Sequence, residues 1–194
     1  SVLLLEFESH DHPLDAWMTR ALDLCGRFEG RRDHDAHDAG TSTRSRTSQA
    51  WRRAFTRAPY ERDRLIALGL LVDTFESSVT WEKFDAFHQR VTQAAQTAVD
   101  RVCGDGLVTW RLAYVYPDGP VPYYTVIAPA RRRHELEQWM SIKQAVSDAV
   151  LDAGGTITHH HAVGRDHRAW YGREQSHVFQ SVLSTAKKTL DPHW

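Results

Sequence analysis

The chain has 194 residues, 41% of them hydrophobic and 25% charged, which is typical of a globular protein with one core or two small ones. Its formal net charge of −1 argues against a nucleic-acid-binding protein, and no apolar run approaches the ~18 residues of a membrane span. Two distant cysteines, Cys25 and Cys103, exclude a disulfide framework and a thiolate metal site. Together with a start that lacks the basic region of a signal peptide, they predict a cytoplasmic protein with reduced thiols.

The first third of the chain contains a strand pattern followed by helical patterns. Residues 2–7 have the composition of a short buried strand. Within residues 11–28, apolar side chains recur with helical spacing after a capping residue and a proline. Residues 30–48 are polar and turn-rich, which predicts a loop. Residues 49–69 predict a helix that is interrupted at Pro59.

The remainder alternates strands and amphipathic helices. Residues 70–79 have strand composition, and Thr80 can cap the long helix that follows. Residues 106–130 predict two strands joined around a Pro-Asp-Gly turn, and residues 132–155 form the clearest helical pattern, ended by two glycines. We expect a further strand at 156–163 and a last helix at 173–190.

This order of elements predicts an α+β fold. Strands and helices alternate as in a split-βαβ unit, so we expect a ferredoxin-like antiparallel sheet with helices packed on one face.

Three consecutive histidines interrupt the predicted strand 156–163. Alternation along a strand would put His160 on one face and His159 and His161 on the other. Two histidines at i and i+2 can chelate one metal ion, but no further ligands at recognisable spacing complete such a site, so we expect none. A solvated cluster is a second interpretation. The glycine pair before the strand and the turn after it favour a third, a strand facing a ligand or cofactor.

At this point the sequence resembles a known family. The segment GGTITHHHAVGRDH (154–167), preceded by a helix and YPDGPVPYYTVIAPA (116–130), resembles the C-terminal cap domain of the FAD-linked oxidase superfamily. Within that superfamily it is similar to the alkyldihydroxyacetonephosphate synthases and their bacterial relatives. The stretch 51–81 also resembles the family's APY-x-RD … TFET-x-x-W pattern. The resemblance covers residues 50–192.

The resemblance implies a protein of two parts. In this family an N-terminal domain holds FAD, and a C-terminal cap covers the flavin ring and supplies the substrate pocket. We find no glycine-rich FAD-binding segment here, and the family usually continues beyond LDPHW into an NPG turn. Residues 1–194 are therefore expected to be the cap alone, inactive by itself, with the FAD-binding domain missing and supplied in cis or in trans. A homodimer is also compatible with the resemblance.

The resemblance further implies a reaction and its residues. The synthases exchange an acyl group for an alkyl group on dihydroxyacetone phosphate in ether lipid synthesis, using FAD without net redox change. Their tyrosine base matches Tyr123, although a one-residue slip would select Tyr124 on the other face. Their substrate-binding arginine matches Arg62. Their three histidines, catalytic and facing the cofactor, match His159, His160 and His161.

Two other readings remain open beside the synthase. Relatives with the same cap could be flavin-dependent oxidases or dehydrogenases of a hydroxy acid or alcohol, and the chain could also be a non-catalytic binding domain. Other polar clusters are weaker candidates: DHDAHD (33–38) and Arg131–Arg133 read as solvated loops, whereas His167 and Arg168 could line the rim of the pocket.

Overall fold

The computed structural model describes residues 3, 5, 7–31 and 46–192, although not the side chains of 46–51 and 58–59. The chain divides into two compact units, Ser1–Glu61 and Arg62–Trp194. The tyrosine strand and the three histidines all lie in the second unit, which therefore carries the candidate site.

In the first unit, the predicted helix is confirmed as α1 (Asp15–Arg27), none of whose residues is buried. The strand predicted at 2–7 is wrong for the residues of that segment that are described, since Leu3, Leu5 and Phe7 are not in a strand. An apolar run forms a strand only where a partner takes its backbone hydrogen bonds, and composition does not report that partner. Most of the predicted loop, including the cluster 33–38, lies outside the described residues.

Helix α2 (Arg46–Ala67) is continuous, so the interruption predicted at Pro59 is wrong. A proline inside a helix removes one backbone hydrogen bond and costs about 3 kcal/mol, which weakens the helix locally without forbidding it. The residues on both sides of position 59 include arginine, alanine and leucine, which are strong helix formers.

The second unit is built on a three-stranded antiparallel sheet in the order β1-β3-β2. Its strands are β1 (Leu70–Glu76), β2 (Leu107–Val115) and β3 (Pro120–Pro129). The hairpin between β2 and β3 closes where the Tyr116 N–H donates to the Gly119 carbonyl over 3.0 Å. The Pro-Asp-Gly turn that the sequence predicts is thereby confirmed.

Two long helices cover one face of this sheet. They are α3 (Trp81–Cys103) and α4 (Glu135–Asp152). Helix α3 begins after Thr80 as predicted, but the Thr80 side chain makes no capping hydrogen bond. The core between helices and sheet consists of the buried side chains of both layers: Leu71, Phe75, Tyr124, Val126 and Ala128 from the strands, and Phe87, Val91, Ala95, Ala98, Val99, Ile142, Val146 and Val150 from the helices. The predicted α+β class with helices on one face of an antiparallel sheet is confirmed.

Two expectations about the C-terminal part are wrong. The segment 156–163 is not a strand, so the described sheet lacks the fourth strand of a ferredoxin-like fold. The single helix expected at 173–190 is instead α5 (Arg168–Glu174) and α6 (His177–Leu190). Ser176 separates them because its side chain accepts a hydrogen bond from the Phe179 N–H, which caps α6.

Two further expectations concern membrane-spanning segments and the two cysteines. Within them, no helix combines the length and the apolar character that a bilayer crossing requires. Cys25 and Cys103 are both half-buried free thiols.

Candidate functional site

The site is organised around Glu76, the last residue of β1, whose side chain is 1% exposed. One carboxylate oxygen, Oε1, accepts hydrogen bonds from three consecutive backbone N–H groups. The donors are His159 at 2.9 Å, His160, and His161 at 2.7 Å. The hydroxyl of Thr158 lies 3.4 Å from the same oxygen. The histidine segment is thus wrapped around a buried anion.

This arrangement explains why the segment is not a strand. In a strand, successive N–H groups point in opposite directions, so three in a row cannot reach one acceptor. Ala162, with φ +65°, turns the chain further, and the Ile157 N–H donates to the Glu174 carboxylate over 2.8 Å. The hydrogen bonds that a fourth strand would make to β1 are made to two glutamate side chains instead.

The entry and exit of this histidine loop (residues 156–163) are fixed by close contacts. At the entry, the Thr156 N–H donates to the Ser78 carbonyl over 3.1 Å, and the Ser78 N–H donates to the Thr156 hydroxyl over 2.9 Å. At the exit, Nδ1 of His167 lies 3.0 Å from the Ala162 carbonyl, and this side chain is buried. His167 therefore supports the loop from inside rather than lining a rim, while Arg168 is exposed.

A row of three side chains crosses the sheet on the face opposite the helices. Tyr123 of β3 is paired with Glu76 of β1 on one side and with Arg111 of β2 on the other. Directly opposed residues in antiparallel strands share a face, so the three side chains are neighbours. The guanidinium carbon of Arg111 lies 4.6 Å from the centre of the Tyr123 ring. The histidine loop covers the Glu76 end of this row.

Each imidazole of the loop has a different environment. Nδ1 of His160 contacts Oε2 of Glu76 directly. The ring of His161 stands perpendicular to Tyr123, with ring centres 5.1 Å apart. Nε2 of His159 lies 3.5 Å from the hydroxyl of Tyr116, at the tip of the β2–β3 hairpin. His159 and His160 are exposed, whereas His161 is half-buried.

The structure separates the two adjacent tyrosines. Tyr124 is fully buried beneath the helices, where it stacks on Phe75 at 4.7 Å and its hydroxyl lies 3.0 Å from Nδ1 of His88. Burial raises the pKa of the Tyr124 phenol. Tyr123, on the opposite face, is half-buried beside His160 and His161. The predicted tyrosine and the three histidines are therefore brought together, and the alternative tyrosine is in the core.

The electrostatics of the site follow from the Glu76 contacts. Burial by itself raises the pKa of this carboxyl, but the hydrogen bonds from the three backbone N–H groups outweigh it and leave the pKa below its usual range. Burial lowers the pKa of His161, partly opposed by the negative charge of Glu76. At neutral pH the buried carboxylate is ionised and the His161 imidazole is neutral.

Arg62 is not part of this cluster. It is an exposed residue of α2, and within the described residues it makes no hydrogen bond or ion pair with the tyrosine or the histidines. Its predicted role in substrate binding remains a prediction. The triple arginine 131–133 is exposed at the N-terminal side of α4, as expected for a solvated loop.

Glu76, His159 and His160 lie close enough together to hold one metal ion between them. One ligand atom from each lies within 4.8 Å of the others, and among the described residues this is the only such group. However, Oε1 of Glu76 already accepts three backbone N–H groups, whereas Oε2 has no hydrogen-bond partner among the described residues, and an ion there would have to displace the His160 ring that lies against it. The expectation of no metal site stays a prediction.

Sequence reasoning missed Glu76 and Arg111. Glu76 ends an apolar strand, LLVDTFE, and a carboxylate at such a position is an available signal. Its importance depends on a loop more than 80 residues further along the chain, which donates to it. Arg111 becomes part of the site only through the register of β2 with β3.

The family follows from a comparison of the whole chain. Residues 1–194 match the family described as FAD linked oxidases, C-terminal domain. The chain belongs to this family. FAD is the cofactor that this membership implies.

Several curated relatives are alkyldihydroxyacetonephosphate synthases. The Dictyostelium discoideum protein is 27% identical over 137 residues, which cover 69% of this chain and 22% of the relative. The Caenorhabditis elegans protein is 30% identical over 136 residues, 69% and 23% of the two chains. The Trypanosoma brucei brucei protein is 28% identical over 178 residues, which cover 90% of this chain and 28% of the relative. The chain spans about a quarter of the length of these relatives.

Solved structures of alkyldihydroxyacetonephosphate synthase share the fold. One crystal form gives a TM-score of 0.57 at 18% identity and covers 92% of this chain and 27% of the solved chain. Another crystal form gives a TM-score of 0.53 at 19% identity and covers 74% of this chain and 23% of the solved chain. These likenesses support the architecture of the sheet and helices and do not address the reaction.

Proposed function

We propose that this chain is the cap and substrate-binding part of an FAD-dependent enzyme of the alkyldihydroxyacetonephosphate synthase type, which exchanges an acyl for an alkyl group in ether lipid synthesis. The observation that carries the proposal is the juxtaposition of Tyr123, Arg111 and the histidine loop on one face of the sheet. The resemblance to the synthases assigns roles to Tyr123 and the three histidines, and Arg111 is added by the register of β2 with β3.

The exposed side of this cluster is suited to a flat heteroaromatic ring. The imidazoles of His159 and His160 are open to a ligand, and Tyr114 and Tyr116 stack beside them with ring centres 6.0 Å apart. Such rings can pack on a flavin and donate hydrogen bonds to its polar atoms. When bound, FAD supplies an electron-accepting ring close to the substrate. We propose that an FAD-binding domain, in cis or in trans, closes this open side.

Within the site, Tyr123 is proposed to act as the base. A phenol has a pKa of about 10 when free and accepts a proton readily only if its phenolate is stabilised. The guanidinium of Arg111 over the ring and the adjacent imidazoles provide nearby positive charge and hydrogen-bond donors. His159, His160 and His161 are proposed to face the flavin and the developing charge, and Arg62 to bind the phosphate of the substrate through its fork of N–H donors.

A reaction assay tests this proposal. The intact FAD-loaded protein is incubated with acyl-dihydroxyacetone phosphate and hexadecanol, while flavin absorbance is followed and lipid products are identified. Formation of the ether lipid without bleaching of the flavin supports the synthase. If neither this pair nor any 2-hydroxy acid reacts, a non-catalytic binding domain replaces the enzyme proposal.

A flavin-dependent oxidase or dehydrogenase of a hydroxy acid or alcohol is the second candidate, because the family to which the chain belongs is described as FAD-linked oxidases. In this case a 2-hydroxy acid bleaches the flavin under anaerobic conditions, and acyl-dihydroxyacetone phosphate gives no ether product. The same assay therefore separates the two reactions.

We also propose a cytoplasmic enzyme, which the two free thiols support. A homodimer is the proposed assembly. Light scattering on the intact protein gives twice the monomer mass if this is correct and the monomer mass if it is not.

A further inference from the structure

The contact between Glu76 and His160 fixes one feature of the site that the family resemblance does not provide. The carboxylate is 1% exposed, and its Oε1 is held by three backbone N–H groups of the loop. Its other oxygen, Oε2, lies against Nδ1 of the His160 ring. Among the described residues Oε2 has no partner with hydrogen-bond geometry, so this contact is an ion pair by distance. Because an ionised carboxylate carries no proton and two lone pairs in direct contact repel each other, the nitrogen that faces Oε2 carries the proton.

We propose that Glu76 is a positioning residue that holds His160 with its proton on Nδ1 and leaves Nε2 as the free, proton-accepting nitrogen of the site. This inference rests on the proposed function, and it specifies which of the three histidines handles a proton there. The carboxylate plays the orienting part that a buried acid plays for an imidazole base in other enzymes.

The surroundings of the three rings favour His160 for this role. Nε2 of His159 faces the hydroxyl of Tyr116, and His161 is half-buried against the edge of Tyr123. The ring of His160 contacts the buried carboxylate of Glu76 on one side and is exposed on the other. It lies nearly parallel to Tyr123, with an interplanar angle of 28° and ring centres 6.3 Å apart. A substrate group or a water molecule can bridge that separation.

The substitution Glu76→Gln separates the two tasks of this side chain. The amide oxygen can still accept the three backbone N–H groups, which keep it oriented toward the loop. The amide nitrogen then faces Nδ1 and can only donate, so the ring must move its proton to Nε2. Glu174→Gln is the matched control, because Glu174 also accepts a backbone N–H of the loop, from Ile157, but has no described contact with an imidazole.

Nitrogen-15 NMR of the imidazoles measures the proton position directly. It is recorded at alkaline pH, where free imidazole is neutral, on the 194-residue chain and on both variants. We expect the His160 proton on Nδ1 in the unmodified chain and in Glu174→Gln, and on Nε2 in Glu76→Gln. A proton on Nε2 in the unmodified chain overturns the inference, even if the variants do not fold.

Kinetics of the intact FAD-loaded protein give the second readout. In Glu76→Gln we expect kcat to fall about 100-fold while KM and bound flavin stay within about twofold, and in Glu174→Gln we expect kcat to be retained. An equal loss of kcat in both variants reduces Glu76 to loop support, and loss of activity on chelation with recovery on added Zn²⁺ makes the contact a metal site. Either result overturns the inference. Because the NMR measurement needs no substrate, the position of the His160 proton can be tested even if the proposed reaction fails.

Discussion

At the scale of single residues, two neighbouring tyrosines have opposite fates. Successive side chains on β3 point to opposite faces, so Tyr124 joins the core and Tyr123 joins Arg111 and the histidine loop. The residue type is the same at both positions, and the register of the strand decides which of the two faces the histidine loop.

The pair provides a matched mutational test. Tyr123→Phe should lower turnover of the intact enzyme by at least ~100-fold, the usual scale for the loss of a general base, while FAD stays bound. Tyr124→Phe should leave turnover nearly unchanged and reduce the free energy of unfolding by about 1 kcal/mol, because it removes the hydroxyl beside His88. Steady-state kinetics and urea unfolding measure both. If Tyr124→Phe gives the larger loss of turnover, the assignment of the base is reversed.

Arg62 allows a test by substrate chemistry. Arg62→Ala should mainly raise KM for a phosphorylated substrate, because the guanidinium fork is lost, with little change in stability since the side chain is exposed. Kinetics with a non-phosphorylated analogue are the control. An equal rise in KM for both substrates would argue against a phosphate contact.

At the scale of elements, the histidine loop shows where local patterns mislead. The run TITHHHAV contains β-branched residues and follows two glycines, which favours a strand. The backbone instead donates to Glu76 and Glu174, which were available only after β1 and α5 had been placed. A segment adopts the conformation that satisfies its backbone groups, and here the acceptors are side chains from distant parts of the chain.

The two positions before this loop, 154 and 155, require glycine for different physical reasons. A Cβ at Gly155 would lie 2.4 Å from both Phe87 Cε2 and Ser77 Oγ, whereas Gly154 has φ +78° and open space around it. Gly155→Ala should therefore cost about 1–3 kcal/mol through overpacking, and Gly154→Ala about 1–2 kcal/mol through backbone strain alone.

Urea unfolding of the two alanine variants measures these changes in the free energy of unfolding. NMR signals of the histidine loop show whether either substitution also disturbs the loop. Because only Gly155 touches the core, only Gly155→Ala should also shift the NMR signals of the histidine loop. Equal perturbation of the loop by both variants would contradict this distinction.

At the scale of the whole molecule, the buried carboxylate links the loop to acid stability. The pKa of Glu76 is lower in the folded state than its unfolded value of about 4.3, so the unfolded state binds more protons. The stability that Glu76 contributes is therefore complete above about pH 4.3 and is lost as the pH falls through the folded pKa.

Urea unfolding of the unmodified chain and of Glu76→Gln between pH 7 and pH 3 checks this. The advantage of the unmodified chain should be constant down to about pH 5 and should shrink below that. Asp148, whose pKa is lowered by a hydrogen bond from Arg173, is present in both proteins and cancels in the difference. A difference that does not change with pH would show that the charge of Glu76 is not coupled to folding.

Much of the architecture could be predicted because it is encoded locally. The helical patterns of α3 and α4, the strand composition of β1 and the turn at 117–119 are signals within a few residues of one another, and each of these elements is present. Tyr123 and the three histidines could be named by resemblance, but their grouping could not be derived. It depends on pairing between strands that are far apart in the chain, such as Leu70 with Pro129.

By itself, the sequence determined the class of fold, the family and FAD as the cofactor, and it offered Tyr123 and the three histidines as candidates for the chemistry, because composition, periodicity and short motifs are properties of the linear chain. The tertiary structure alone decided that the histidines lie in a loop, that Tyr123 rather than Tyr124 faces them, and that Glu76 holds them in place. The physical reason is that a buried anion and a run of backbone N–H groups stabilise each other only when folding brings them within hydrogen-bond distance, over more than 80 residues of chain.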